Sequence, residues 1–153
     1  MRKFPVLNIT RSPSMLLVIA DFYQDISLSL REGAESVLES YGGHHKVVCV
    51  HGALEVPVAI SMAAEIAQYD GYIALGCIIR GETSHYDIVC NESAAGLAYL
   101  GVQRRLCVGN GILTVENMEQ AIVRANPLGD RNTGGVAAFA ALQLVILQEQ
   151  LRS

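Results

Sequence analysis

The feature that most restricts this fold is a pair of short runs that are apolar at every position. Residues 15–20 (MLLVIA) and 72–79 (YIALGCII) have the length of strands and no wet side. A strand of that kind must be covered on both faces, as in parallel sheets sandwiched between helices. Two further strands are expected at 46–50 (KVVCV) and 106–113, the latter interrupted by Gly109 and Gly111. Between the first two runs of strand type, Ile26, Leu28, Leu30, Ala34, Val37 and Leu38 recur at helical spacing, and Gly42-Gly43 closes the segment. Helices are also expected at 56–68, with Pro57 tolerated in the first turn, at 84–103, at 116–125 and at 135–150. Residues 126–135 read as a loop. This alternation predicts a three-layer α/β/α sandwich, flavodoxin-like, about a central, mostly parallel four-stranded sheet. The 153 residues read as one domain spanning 1–153, without repeat or linker.

Hydrophobic residues make up 51% of the chain and charged residues 17%, which argues against disorder. A mean hydropathy of +0.32 needs a cause, either membrane insertion or apolar surface buried between subunits. The longest nearly unbroken apolar stretch, 136–147, contains Gln143 and falls short of the roughly 20 residues a spanning helix needs. No apolar region follows the basic N-terminus, as a signal peptide would require. Burial in a homo-oligomer is the expectation, with no membrane partner. A net charge of −4 and few aromatics give no sign of a nucleic-acid surface. Cys49, Cys77, Cys90 and Cys107 lack CxxC spacing, and three of them sit in strand-like runs as small hydrophobes. No metal site is expected, and a reducing cytoplasmic location fits free thiols.

In such sheets ligands bind beyond the carboxyl ends of the strands. Four places qualify: residues 21–23, 51–57, 80–85 and 110–114. In the third, Ser84 and Asp87 fit a capping box at the start of a helix. Gly81, Thr83 and the backbone N–H groups there form either a plain helix cap or a cradle for an anion. His85 stands at the positive end of that helix, which favours the neutral imidazole a general base needs. It reads as a catalyst or as a surface histidine. Glu55 can accept hydrogen bonds from a polyol, or merely complement a helix N-terminus. Phe22 can stack on a flat ring or pack in the core. Arg124 answers a helix C-terminus or pairs with a phosphate. The fragment Gly109-Asn110-Gly111 lacks the full dinucleotide glycine pattern.

Three blocks together resemble lumazine synthases: GALEVP at 52–57, ALGCIIRGETSHYDIV at 74–89 and GILTVEN at 111–117. Asn91-Glu92-Ser93 and the GGVAA start of the last helix at 134–138 agree. The resemblance implies an enzyme that condenses 5-amino-6-(D-ribitylamino)uracil with 3,4-dihydroxy-2-butanone 4-phosphate, without a cofactor, to 6,7-dimethyl-8-ribityllumazine, phosphate and water. It implies that Phe22 stacks on the pyrimidine and that the backbone of Cys77, Ile78 and Ile79 reads its edge. Ala53, Leu54 and Glu55 would hold the ribityl chain, and Asn110 would line the substrate site. Glu82 and Thr83, with Arg124 from a neighbouring subunit, would bind phosphate, and His85 would move the proton.

The chain departs from the family pattern at Asp21 and Tyr23, where Arg and Asn are common, and at Asn110, where an aromatic is common. Thr133 stands where lysine is usual, with Arg131 as a replacement charge. The family forms pentamers, and the long loop with Pro127 favours a free pentamer over a 60-subunit shell. The rival readings are a non-catalytic flavin- or lumazine-binding module and a structural ring protein on the same scaffold.

Overall fold

The computed structural model describes residues 1–153. In chain order the elements are β1 (Ser14–Ala20), α1 (Gln24–Ser40), β2 (His44–Val50), α2 (Glu55–Ile66), β3 (Gly71–Ile79), α3 (His85–Val102), β4 (Val108–Val115), α4 (Met118–Ala125) and α5 (Thr133–Arg152). The strands form one sheet in the order β2-β1-β3-β4, with all three pairings parallel. The expected three-layer α/β architecture is present, and its sheet is parallel throughout.

The two all-apolar runs become the two inner strands. Their alternate side chains feed two separate cores, as the period of two requires. Met15, Leu17 and Ile19 of β1, with Ile73, Leu75 and Cys77 of β3, pack under α1, α4 and α5. Leu16, Val18 and Ala20, with Tyr72 and Ala74, pack under α2 and α3. Each fully buried Leu or Ile contributes about 1.5–3 kcal/mol, so both faces hold the sheet in register. The outer strands differ from the two inner ones. β2 is an edge strand on which Lys46, Val48 and Cys49 are open, and β4 alternates buried and open positions. Cys49 is therefore exposed, unlike Cys77 and Cys107.

α5 begins at Thr133, two residues earlier than its sequence suggests. Gly134 looks like a loop residue, but it is small because the helix lies against α1, and Gly135 because a Cβ there would stand 2.4 Å from the side chain of Asn132. A Cβ on Gly134 would stand 2.0 Å from the Leu30 carbonyl oxygen of α1, and one on Gly109 of β4 would stand 1.9 Å from the Ala137 carbonyl oxygen of α5. Asn132 starts the helix from a left-handed backbone (φ 37°), and its side chain accepts the Gly135 N–H at 3.1 Å. Asn tolerates that conformation better than most residues. By length and apolarity α5 could cross a bilayer, but Ala137, Ala138, Ala141, Leu142 and Val145 are buried in the α1 side of the sandwich.

α3 corrects a second expectation. Ser84 has helical backbone angles and its side chain makes no cap bond. Thr83 Oγ1 instead accepts the His85 N–H at 3.3 Å, and the Asp87 carboxylate lies 3.6 Å from Arg80. The capping box does not form because Asp87 answers a guanidinium.

The contact between α5 and α1 is testable. Gly134→Ala should cost about 1–3 kcal/mol or more, because the obstructing atoms are backbone and cannot swing away. A lowered urea midpoint at fixed protein concentration would register it. Gly81→Ala, where nothing lies within 4 Å of the added methyl, should leave that midpoint nearly unmoved.

Candidate active site

The sheet order creates a crevice at one place. After β1 the chain leaves to the α1 face, and after β3 it leaves to the opposite, α3 face. The two carboxyl ends lie side by side with their connections diverging, which is where ligands bind in sheets of this kind. A cavity of about 320 Å³ opens there. Its wall after β1 is Phe22 and Tyr23, and its wall after β2 is His51, Gly52, Ala53, Leu54 and Glu55. Cys77, Ile78 and Ile79 form the end of β3, and His85 and Val89 come from the first turns of α3.

β3 outruns β1 at this end. β1 pairs with β3 only as far as Leu75, whereas β4 pairs with it to Ile79. The β1-side edge of Gly76, Cys77, Ile78 and Ile79 is therefore free of a strand partner and can present backbone donors and acceptors to a planar ring. Phe22 stands near this edge with 59% of its surface exposed. Tyr23 meets it at a centroid distance of 4.9 Å and 70°, and His51 at 5.4 Å and 72°. Neither neighbour stacks flat on Phe22, so its ring is braced without being paired face to face.

The walls divide by polarity. Ala53 and Cys77 are buried, and burial pushes the Cys77 thiol up to about 11, which keeps it neutral. Glu55 is the first residue of α2, and its carboxylate has no hydrogen-bond or ion-pair partner in the chain. At the mouth, the N–H groups of Gly81, Glu82, Thr83, Ser84 and Tyr86 have no protein acceptor. Such a row of donors at the positive end of an 18-residue helix suits an anion.

Of the residues expected from sequence, Phe22, Ala53, Leu54, Glu55, Cys77, Ile78, Ile79 and His85 come together in this cavity. Glu82 and Thr83 lie in the turn that leads to His85. Two stand apart from the pocket of their own chain. Asn110 lies in a groove of about 700 Å³ between α3, β4 and α5, which contains no His, Asp or Glu, and its side chain accepts the Ile112 N–H at 3.0 Å. Arg124 is on α4, where its guanidinium donates to the Gln120 carbonyl at 3.2 Å. The cavity adds His51, Tyr23 and Val89. The signal for His51 was its place at the carboxyl end of β2, and for Val89 its place one helical turn beyond His85. No three His, Cys, Asp or Glu side chains converge as metal ligands would.

A family model described as 6,7-dimethyl-8-ribityllumazine synthase matches residues 12–149, which include all four strands. The chain belongs to the lumazine synthase family. It is 49% identical over 144 residues to the 6,7-dimethyl-8-ribityllumazine synthase of Agrobacterium fabrum, covering 91% of this chain and 97% of that protein. It is also 49% identical to that of Bartonella tribocorum, covering 92% and 93%. The 6,7-dimethyl-8-ribityllumazine synthase 1 of Rhizobium meliloti is 49% identical, with 90% and 92% covered. Lumazine synthases are transferases of riboflavin biosynthesis.

The neutral thiol in the pocket of this family member gives a direct check. Its pKa is raised, so the thiolate appears only as pH approaches about 11. Alkylation of Cys77 by iodoacetamide should be slow at pH 8 and accelerate steeply above pH 10. Peptide mass mapping would follow it, and rapid labelling at pH 8 would contradict the buried, neutral wall.

Proposed function

We propose that the cavity between the ends of β1 and β3 is the active site for joining 5-amino-6-(D-ribitylamino)uracil to 3,4-dihydroxy-2-butanone 4-phosphate. The observation that carries this reading is the meeting of four unlike parts in one pocket: a braced aromatic, an open strand edge, an unpaired carboxylate and an imidazole beside a donor-rich helix start. Phe22 covers one face of the pyrimidine, and the free edge of Cys77, Ile78 and Ile79 fixes its in-plane orientation. Glu55, with Ala53 and Leu54, receives the ribityl chain. The turn at Glu82 and Thr83 holds the phosphate.

The chemistry suits residues of this kind. The 5-amino group is a nucleophile at neutral pH, and its attack on the ketone releases water and leaves an imine. Removal of the C3 proton converts the imine to an enamine, whose electron pair expels the C4 phosphate. Tautomerisation gives a second carbonyl, and ring closure by the ribityl-bearing nitrogen releases a second water. Holding both substrates in line contributes up to about 7–11 kcal/mol towards these steps. His85 moves the protons, worth roughly 10²–10⁴-fold. The N–H groups of the turn stabilise the departing phosphate dianion.

His85→Ala should lower kcat by about 10²-fold and leave a measurable residual rate, because orientation survives the loss of the base. Lumazine absorbance and fluorescence on mixing the two substrates would report it. Complete loss of turnover in a folded, still-assembled variant would contradict this division of labour, and an inactive wild type would sink the whole reading.

The site is shared between subunits of a ring in this proposal. Arg124 lies outside the pocket of its own chain and is offered to a neighbour's phosphate. Exposed Val58, Met62 and Ile66 on α2, and Leu144, Leu147 and Leu151 on α5, are the apolar surface that assembly would cover. We favour a free pentamer acting in the cytoplasm as one catalytic domain per chain. Light scattering should give five times the 16.5 kDa chain mass, and a value near sixty times would overturn the pentamer.

A further inference from the structure

Arg80 closes β3, and its backbone N–H donates to the Val115 carbonyl at the end of β4 (3.0 Å). Its guanidinium is engaged on three sides. Nε donates to Glu116 Oε2 at 2.6 Å, a terminal nitrogen lies 3.6 Å from the Asp87 carboxylate, and the group sits 4.3 Å from the centroid of the Tyr86 ring. Asp87 and Tyr86 belong to the first turn of α3, directly after His85. Glu116 belongs to the turn between β4 and α4.

The contacts continue beyond Glu116. The Glu116 N–H donates to Gln120 Oε1 at 2.8 Å, and the Gln120 N–H donates to the N-cap Asn117 at 2.9 Å. The Gln120 carbonyl in turn accepts from Arg124 at 3.2 Å. A continuous chain of polar contacts thus runs from the start of α3 through Arg80, Glu116 and Gln120 to Arg124.

Stability does not account for this chain. Arg80 is 43% exposed, Glu116 55% and Asp87 57%, and exposed ion pairs contribute little to folding. Two carboxylates already offset the single positive charge, so Arg80 is also a poor ligand for a substrate anion. What three simultaneous contacts supply is orientation.

We propose that Arg80 is a positioning residue for the phosphate site: it fixes the 81–84 turn and the first turn of α3 against the β4–α4 turn, and through Glu116 and Gln120 it sets the stance of Arg124. The inference rests on the proposed reaction for its substrate, but not for its geometry. By this arrangement, the phosphate turn of one subunit and the arginine it presents to the next are held by one network.

Arg80→Lys and the near-isosteric Glu116→Gln test it in the assembled enzyme. Lysine lacks the planar fork that reaches both carboxylates while stacking on a ring. Each variant should raise KM for the butanone phosphate about tenfold, since small misplacements of a binding group are costly. KM for the pyrimidine should stay within about twofold of wild type and the thermal midpoint should hold, as expected for an exposed pair. Inhibition by inorganic orthophosphate should weaken by the same factor as the KM change.

Equal losses for both substrates, a fall in thermal midpoint that accounts for the loss, or no change at all would overturn the proposal. So would opposite signs, with Glu116→Gln tightening orthophosphate and Arg80→Lys loosening it, because Arg80 would then be a ligand itself. Orthophosphate affinity measured by calorimetry tests the tether even if wild type makes no lumazine. An inactive wild type whose phosphate affinity still drops in both variants would sink the reaction and keep the positioning role.

Discussion

Burying β1 and β3 on both faces forces the rest of the arrangement. Two strands with no polar side must each lie under helices above and below, so the chain must place α1 on one side and α2 and α3 on the other. Once β1 feeds α1 and β3 feeds α3, neighbouring strand ends send their connections in opposite directions. The crevice is a consequence of that divergence, not a separate construction. Its depth comes from β3 running four residues past its last pairing with β1, while β4 still supports it on the far edge. The open strand edge is thus held firmly, because β4 pairs with its other side to the end.

Much of this was legible in the sequence because it is written at short range. Strand length, apolar continuity and helical spacing are local properties, and each of the nine elements follows from them. The errors come from contacts that local patterns do not encode. Gly134 resembles a loop residue by local pattern, and the approach of α5 to the Leu30 carbonyl of α1 explains why glycine stands there in the helix. Ser84 and Asp87 have the spacing of a capping box, but Arg80 and Glu116 lie 36 positions apart in sequence, and their pairing draws Asp87 into a different network. In both cases a long-range contact outweighed a local preference worth about 1 kcal/mol.

The candidate site divides in the same way. Phe22, Glu55 and His85 sit where the strand-end rule places them, and the cavity gathers them with Cys77, which only the family resemblance pointed to. His51 opens the 51–57 stretch that the strand-end rule marks, but a lone histidine after an edge strand carries no spacing pattern that assigns it a role; its significance lies in the 5.4 Å approach to Phe22 across two connections. Asn110 and Arg124 do not line this cavity. Resemblance to a known family supplied a role for them that periodicity could not, and for Arg124 that role would lie with the substrate of another copy of the chain.

That separation bears on why the site tolerates exposure. The proposed anion site, made mainly of backbone N–H groups, keeps its geometry only if the turn carrying them is also held from outside, since within it the one side-chain bond is that which the Thr83 hydroxyl accepts from the His85 N–H. Here the support comes from the neighbouring strand: β4 bonds the end of β3, and Glu116 just beyond it grips the side chain of Arg80. The same short segment, 115–124, carries Arg124, half-buried and bonded to the Gln120 carbonyl. A motion that loosened one would loosen the other, so on the proposed reading a subunit's hold on phosphate and the help it gives a neighbour would change together. The coupling requires no moving domain, only that one exposed ion pair be kept in a fixed direction.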